Sequence, residues 1–301
     1  MKLLRYLSLA LIAFSAMVGC IDNPDGYDPD YVISFVPAVK AMDGDLSEES
    51  SEYPQGHTFG VWAFMLPEGQ TWDSNSSKAT SWLNNAAVSL SGNAWKTADS
   101  KHWGKTGEQL TFFAYSPASL PMQYDSSKGL LLSGYNTLED DMDILYCDAV
   151  KDVEKNAVTG CVGIPFKHAL SKVEFRARAA ENDVEIVLKS VTVGGIFYKG
   201  DFHSQPAGWD LTTDKTDIEF CTAEAALSNE PVSLANINVL AQSQPRPVTV
   251  VFDAFFQGKQ VIADKTFTIK PITGKWGVGR QYVYTLDVMT TGVTYKTDII
   301  D

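Results

Sequence analysis

The feature that most constrains this chain is a succession of short runs in which apolar and polar residues alternate. Lys172-Val173-Glu174-Phe175-Arg176-Ala177-Arg178 shows it most plainly, with Val173, Phe175 and Ala177 on one side and four charged residues on the other. An extended chain projects successive side chains to opposite faces, so such a run is a strand with one face in a core. Further β-type runs occupy residues 31–36, 59–64, 110–115, 248–252, 265–269 and 282–286. Turn-forming Gly, Pro, Asn and Asp separate them, and long stretches of helical periodicity are scarce. A parallel βαβ architecture therefore has little support, and many short strands between turns indicate β-sandwiches.

The length, 301 residues, suits two domains at roughly 150 residues each. A polar loop precedes Gly160 and the strand pattern restarts at Lys172, so the expected division is residues 31–167 and 168–301. Ahead of them, Lys2 and Arg5 introduce a mostly apolar run over residues 6–18. It is short for a bilayer span and reads as an export signal, residues 1–19. Its ending, Met17-Val18-Gly19-Cys20, resembles a bacterial lipobox. That resemblance implies lipid on Cys20, which becomes the first mature residue; an ordinary signal with an incidental cysteine is the alternative. Residues 20–30, with Pro24, Gly26, Pro29 and several aspartates, read as an acidic extended tether.

Twenty-four basic against 37 acidic residues give a net charge of −13. That balance excludes a broad basic footprint for nucleic acid and disfavours electrostatic docking on anionic lipid. The charge is local: residues 20–52 hold nine acids against one base, Lys40. Of the five arginines, Arg5, Arg176, Arg178, Arg246 and Arg280, none falls between residues 6 and 175. Lys40 is consequently the sole basic residue between Cys20 and residue 77.

Catalytic constellations are missing from the sequence. His57, His102, His168 and His203 are scattered, without cysteine or histidine at metal-ligand spacing. Asp43-Gly44-Asp45 begins like a calcium loop, but Glu48 and Pro54 stand where that loop needs glycine and glutamate. Gly277-Val278-Gly279 lacks the third glycine of a dinucleotide loop, and no phosphate loop or nucleophile elbow occurs. Glu139-Asp140-Asp141-Met142-Asp143 reads as a solvated acidic loop leading into a strand. No cofactor, metal or catalytic residue is therefore expected. Cys147, Cys161 and Cys221 read as buried free thiols, with a Cys147–Cys161 bond across a hairpin as the alternative. Trp72, Trp82, Trp95 and Trp103 sit in a polar stretch, where exposed rings would stack on sugars, although packing in a core is the expectation.

Several segments, in order, resemble the fimbrillin-like lipoproteins of Bacteroidetes, the type V pilins and their relatives. They are Phe59-Gly60-Val61-Trp62-Ala63-Phe64, Trp103-Gly104 followed by Leu110-Thr111-Phe112-Phe113-Ala114-Tyr115-Ser116-Pro117, and Asp143-Ile144-Leu145-Tyr146. Phe166-Lys167-His168-Ala169-Leu170-Ser171-Lys172-Val173 and Trp276-Gly277-Val278-Gly279-Arg280-Gln281-Tyr282-Val283-Tyr284 complete the set. The resemblance implies an all-β fold of two tandem transthyretin-like, Greek-key β-sandwiches. It also implies a lipid-anchored stage at the outer membrane, partnership with other fimbrial subunits, and a role in fimbria assembly or adhesion.

In such pilins a protease cuts after a basic residue following the first strand, and a strand from another subunit fills the vacated groove. The corresponding strand here is residues 31–39, and the corresponding bond is Lys40-Ala41, where relatives commonly carry arginine. The C-terminal run 293–300 is read either as the donor or as the last strand of its own sandwich. A glycan-binding surface lipoprotein is the alternative function.

Overall fold

The computed structural model describes residues 32–40, 50–105, 107–140, 142–155, 160–221 and 223–300. Cys20, Ala41, the export signal, the tether and Asp43-Gly44-Asp45 lie outside the described residues. The first half of the chain forms β1 (Ser34–Lys40), β2 (Ser50–Glu52), β3 (Phe59–Leu66), β4 (Thr80–Ser91), β5 (Ala94–Thr97) and β6 (Gln109–Ser116). These are followed by β7 (Gln123–Asp125), β8 (Gly129–Asn136), β9 (Leu145–Cys147), β10 (Val150–Glu154) and β11 (Cys161–His168). The second half forms β12 (Ser171–Ala179), β13 (Glu185–Phe197), β14 (Lys199–Ser204), β15 (Ala207–Leu211), β16 (Lys215–Glu219) and β17 (Ala225–Leu227). It ends with β18 (Val232–Val239), β19 (Arg246–Phe256), β20 (Lys259–Ile272), β21 (Gln281–Met289) and β22 (Gly292–Ile300). The protein is all-β, and among the described residues the only α-helix is the single turn Trp72–Asn75.

The largest sheet runs β10-β6-β3-β4-β5-β1-β11-β9, with β2 alongside the end of β1. β9 pairs again with β6 through Tyr115↔Tyr146 and Ser116↔Leu145, so the sheet closes around its core. Phe35, Phe59, Val61, Phe112 and Phe166 fill that interior. The intervening residues of β3 and β6, Trp62, Phe113 and Tyr115, face outward into a second core. Both faces of these strands are thus buried, which is why residues 59–64 and 110–115 read as nearly continuous apolar runs. Gly60 is required by this packing: a Cβ there would strike the Tyr115 ring.

A four-stranded sheet, β15-β14-β8-β7, covers the outer face, taking two strands from each side of residue 168. Leu130, Leu132 and Phe202 of this sheet complete the second core. The third core lies between β18-β12-β21-β22 and β16-β13-β19-β20, with β17 beside β13. Val173, Phe175 and Ala177 of β12 point into it and are fully buried, as their alternation requires.

Among the polar groups buried around this third core are Glu174 and Arg246. Glu174, on the opposite face of β12, is covered and held by Arg176, with Nε 2.7 Å from Oε1 and a second bond of 3.1 Å to Oε2. The Arg176 guanidinium holds the Glu174 carboxyl below its usual range, against the effect of burial. Arg246 is fully buried with its guanidinium 3.9 Å from the centre of the Trp276 ring. It donates to the carbonyls of Gln244 at 2.8 Å and Gly274 at 2.7 Å. Burial pulls its pKa down.

Candidate functional site

Among the described residues of the expected first strand, β1 begins at Ser34 and runs on to Lys40, and Val32 makes an isolated bridge to His102. It lies inside the closed sheet. On one side it runs parallel to β11, from Ser34↔Cys161 to Val39↔Phe166. On the other it meets β5 at Phe35↔Trp95 and then β2 at Ala38↔Glu52, Val39↔Ser51 and Lys40↔Ser50. Alternate residues Ile33, Phe35, Pro37 and Val39 are buried. Phe35 meets Phe59 and Phe112 edge to face, with ring centres 5.7 and 5.9 Å apart. The first strand is therefore a stave of the barrel core that belongs to the sheet interior. The exposed side chain of Lys40 ends it.

Beside Lys40 opens a cavity of about 670 Å³, lined among others by Val39, Glu52, His57, Asp143 and His168. His168 Nδ1 lies 2.7 Å from Asp143 Oδ2. Ser116 also borders the cavity, but its Oγ is buried and 2.7 Å from the hydroxyl of Tyr53, so it is not poised as a nucleophile. The remaining histidines are apart: His102 lies at the Val32 bridge, and His203 is 3.6 Å from Asp210. No group of three His, Cys, Asp or Glu able to hold a metal ion occurs among the described residues. In the acidic run, the Tyr135 hydroxyl donates to the carbonyls of Asp140 (3.1 Å) and Met142 (2.9 Å), fastening the loop ahead of buried Ile144.

The alternative Cys147–Cys161 bond is overturned. β9 and β11 are antiparallel neighbours, but their register sets Cys147 opposite Phe166. Five residues of strand separate that position from Cys161, about 16 Å at the usual rise. Cys147 and Cys221 are free and buried. Burial pushes the Cys147 thiol up to about 12, with the Asp148 charge adding to it, and also raises Cys221.

Five of the seven tryptophans, Trp62, Trp72, Trp95, Trp103 and Trp276, are buried. Trp82 donates its ring N–H to the His102 carbonyl at 3.0 Å, and Trp209 donates to Ala169 at 2.8 Å. The rings of the polar stretch thus serve cores and loops rather than an open stacking platform. The C-terminal run pairs with β21 along its whole length, from Gln281↔Ile300 to Met289↔Gly292, as an edge strand of its own sandwich. Two features escaped sequence reasoning. β2 is three residues of Ser and Glu with no alternation to reveal it, and the parallel partner of β1 lies far along the chain.

A family profile described as fimbrillin-like matches residues 53–301. The chain belongs to the fimbrillin-like family. The fold agrees with solved relatives at low sequence identity. A fimbrial protein from Bacteroides vulgatus is 15% identical, with a TM-score of 0.68 over 89% of this chain and 98% of that one. A candidate cell-adhesion protein from Bacteroides ovatus is 15% identical, with a TM-score of 0.56 over 91% and 98%. Another from Bacteroides uniformis is 16% identical, with a TM-score of 0.53 over 91% and 99%. No curated protein matches the chain.

Proposed function

We propose that this protein is a fimbrial subunit or fimbria-associated adhesin, lipid-anchored through Cys20 and assembled by exchange of its first strand. It has a structural role and is not an enzyme. The observation that carries the reading is the seat of β1, which fills the closed sheet with three alternating buried residues, Phe35, Pro37 and Val39, and ends on an exposed lysine. Cutting the Lys40-Ala41 bond and releasing β1 opens a groove between β11 and β5. Its floor presents Phe59 and Phe112, and its walls present unpaired backbone groups. A strand from another fimbrial subunit, with apolar side chains at alternate positions, would fill it by β-augmentation. The outer membrane is the anchoring surface and the receptor is left unnamed. The glycan-binding alternative is disfavoured by the burial of most tryptophans.

The test is to treat a soluble chain lacking residues 1–20 with a lysine-specific protease and follow its size. Loss of the segment up to Lys40, followed by a ladder of oligomers, supports strand exchange. Persistent monomer after clean cleavage refutes a self-polymerising stalk.

A further inference from the structure

Backbone groups alternate sides along β1. The Ser34 amide donates to Gly160 on the β11 side, whereas the Ile33 amide donates to Lys101 on the other side. The register with β11 runs without a shift, so parity directs the amide and carbonyl of Val39 away from β11 and towards β2. Val39 stands directly opposite Ser51, and the Ser51 hydroxyl also donates to the Val39 carbonyl at 3.5 Å. Val39↔Ser51 is therefore the hydrogen-bonded pair, flanked by non-hydrogen-bonded pairs on either side. Pairing with β11 stops at Val39↔Phe166, but pairing with β2 continues to Lys40↔Ser50. The Lys40 amide and carbonyl, one residue on, face the β11 side, and across the other edge Lys40 stands opposite Ser50 of β2.

This three-residue strand has little else to hold it. The side chains of Ser51 and Glu52 are exposed. Its fastening is the next residue, Tyr53, which is buried against Phe59, Trp95 and Phe166 and donates to the Thr58 carbonyl at 3.0 Å. Proteases take their substrates as extended segments, so a segment paired on both edges is refractory until a neighbour lifts. Segments with few buried apolar contacts open locally, without global unfolding.

We propose that β2 is a clip that keeps the peptide bond after Lys40 closed to proteolysis, and that its detachment sets the rate of cutting. The proposal rests on reading Lys40 as the maturation site. A lysine-specific protease is applied to the folded chain, to Ser51→Pro and to the double variant Ala38→Cys/Glu52→Cys. Cutting after Lys40 is followed by mass after final reduction. Ser51→Pro removes the amide that faces Val39. Ala38 and Glu52 are directly opposed in a non-hydrogen-bonded pair, whose close Cα approach suits a disulfide. Ser51→Pro should be cut about tenfold faster, the ratio for loss of about one net backbone hydrogen bond. The oxidised double variant should be cut at least about tenfold more slowly than its reduced form.

Equal rates in all forms overturn the clip and leave Lys40 as a cleavable site. Failure to cut after Lys40 even in Ser51→Pro overturns both the clip and the maturation reading. General cutting at many lysines in Ser51→Pro would mean that variant has unfolded, and the disulfide pair then decides.

Discussion

Phe35 is the side chain on which release and replacement of the first strand should turn. It is 3% exposed and lies edge-on to two phenylalanine rings, while the next residue, Val36, is only half-buried on the other face. A chain beginning at Ala41 should bind a peptide of residues 31–40 in the vacated groove, and thermal melting would report the gain in stability. Phe→Ala in a packed core costs about 3–5 kcal/mol. At about 1.4 kcal/mol per tenfold, the Phe35→Ala peptide should bind two to three and a half orders of magnitude more weakly. The Val36→Ala peptide loses less than about 1 kcal/mol, under about fivefold. Isothermal titration or a fluorescence competition assay would rank the three peptides. Equal affinity of the Phe35→Ala and Val36→Ala peptides would refute the reasoning, because the groove would then not read the inward face of the strand.

Other consequences concern stability and reactivity. Arg246→Met should lower the free energy of urea unfolding by about 2–4 kcal/mol, because the carbonyls of Gln244 and Gly274 lose their buried donors. An unchanged midpoint would show that those carbonyls find other partners. The Glu174 carboxyl, held below its usual range by Arg176, contributes stability that is present above the unfolded carboxylate pKa and is lost as pH falls through the lower folded value. Glu174→Gln should therefore flatten the acid limb of the unfolding midpoint, measured from pH 7 down to about 3. Cys147, with its thiol pushed up to about 12, and buried Cys221 should resist a disulfide reagent at about pH 8 in the folded protein and react in urea.

The strand content and several core faces were legible in the residues themselves. Val173, Phe175 and Ala177 alternate because period two is a local property of an extended chain, and all three are buried where that alternation directs them. The continuous apolar runs at 59–64 and 110–115 likewise announced strands, but not that each would be buried on both faces by separate cores. That depended on a third layer, β15-β14-β8-β7, assembled from segments far apart in sequence. The sole lysine or arginine between Cys20 and residue 77, Lys40, was visible by inspection, whereas its clip was not, since Ser50–Glu52 carries no pattern. Long-range pairing decided the rest. Ser34 meets Cys161 across 127 positions, and the Cys147 register excludes the bond that proximity in a hairpin suggested. Alternation tells a strand which face to bury; only closure of the sheet determines which strands flank it, and here that closure places the first strand in the interior with its lysine at the rim.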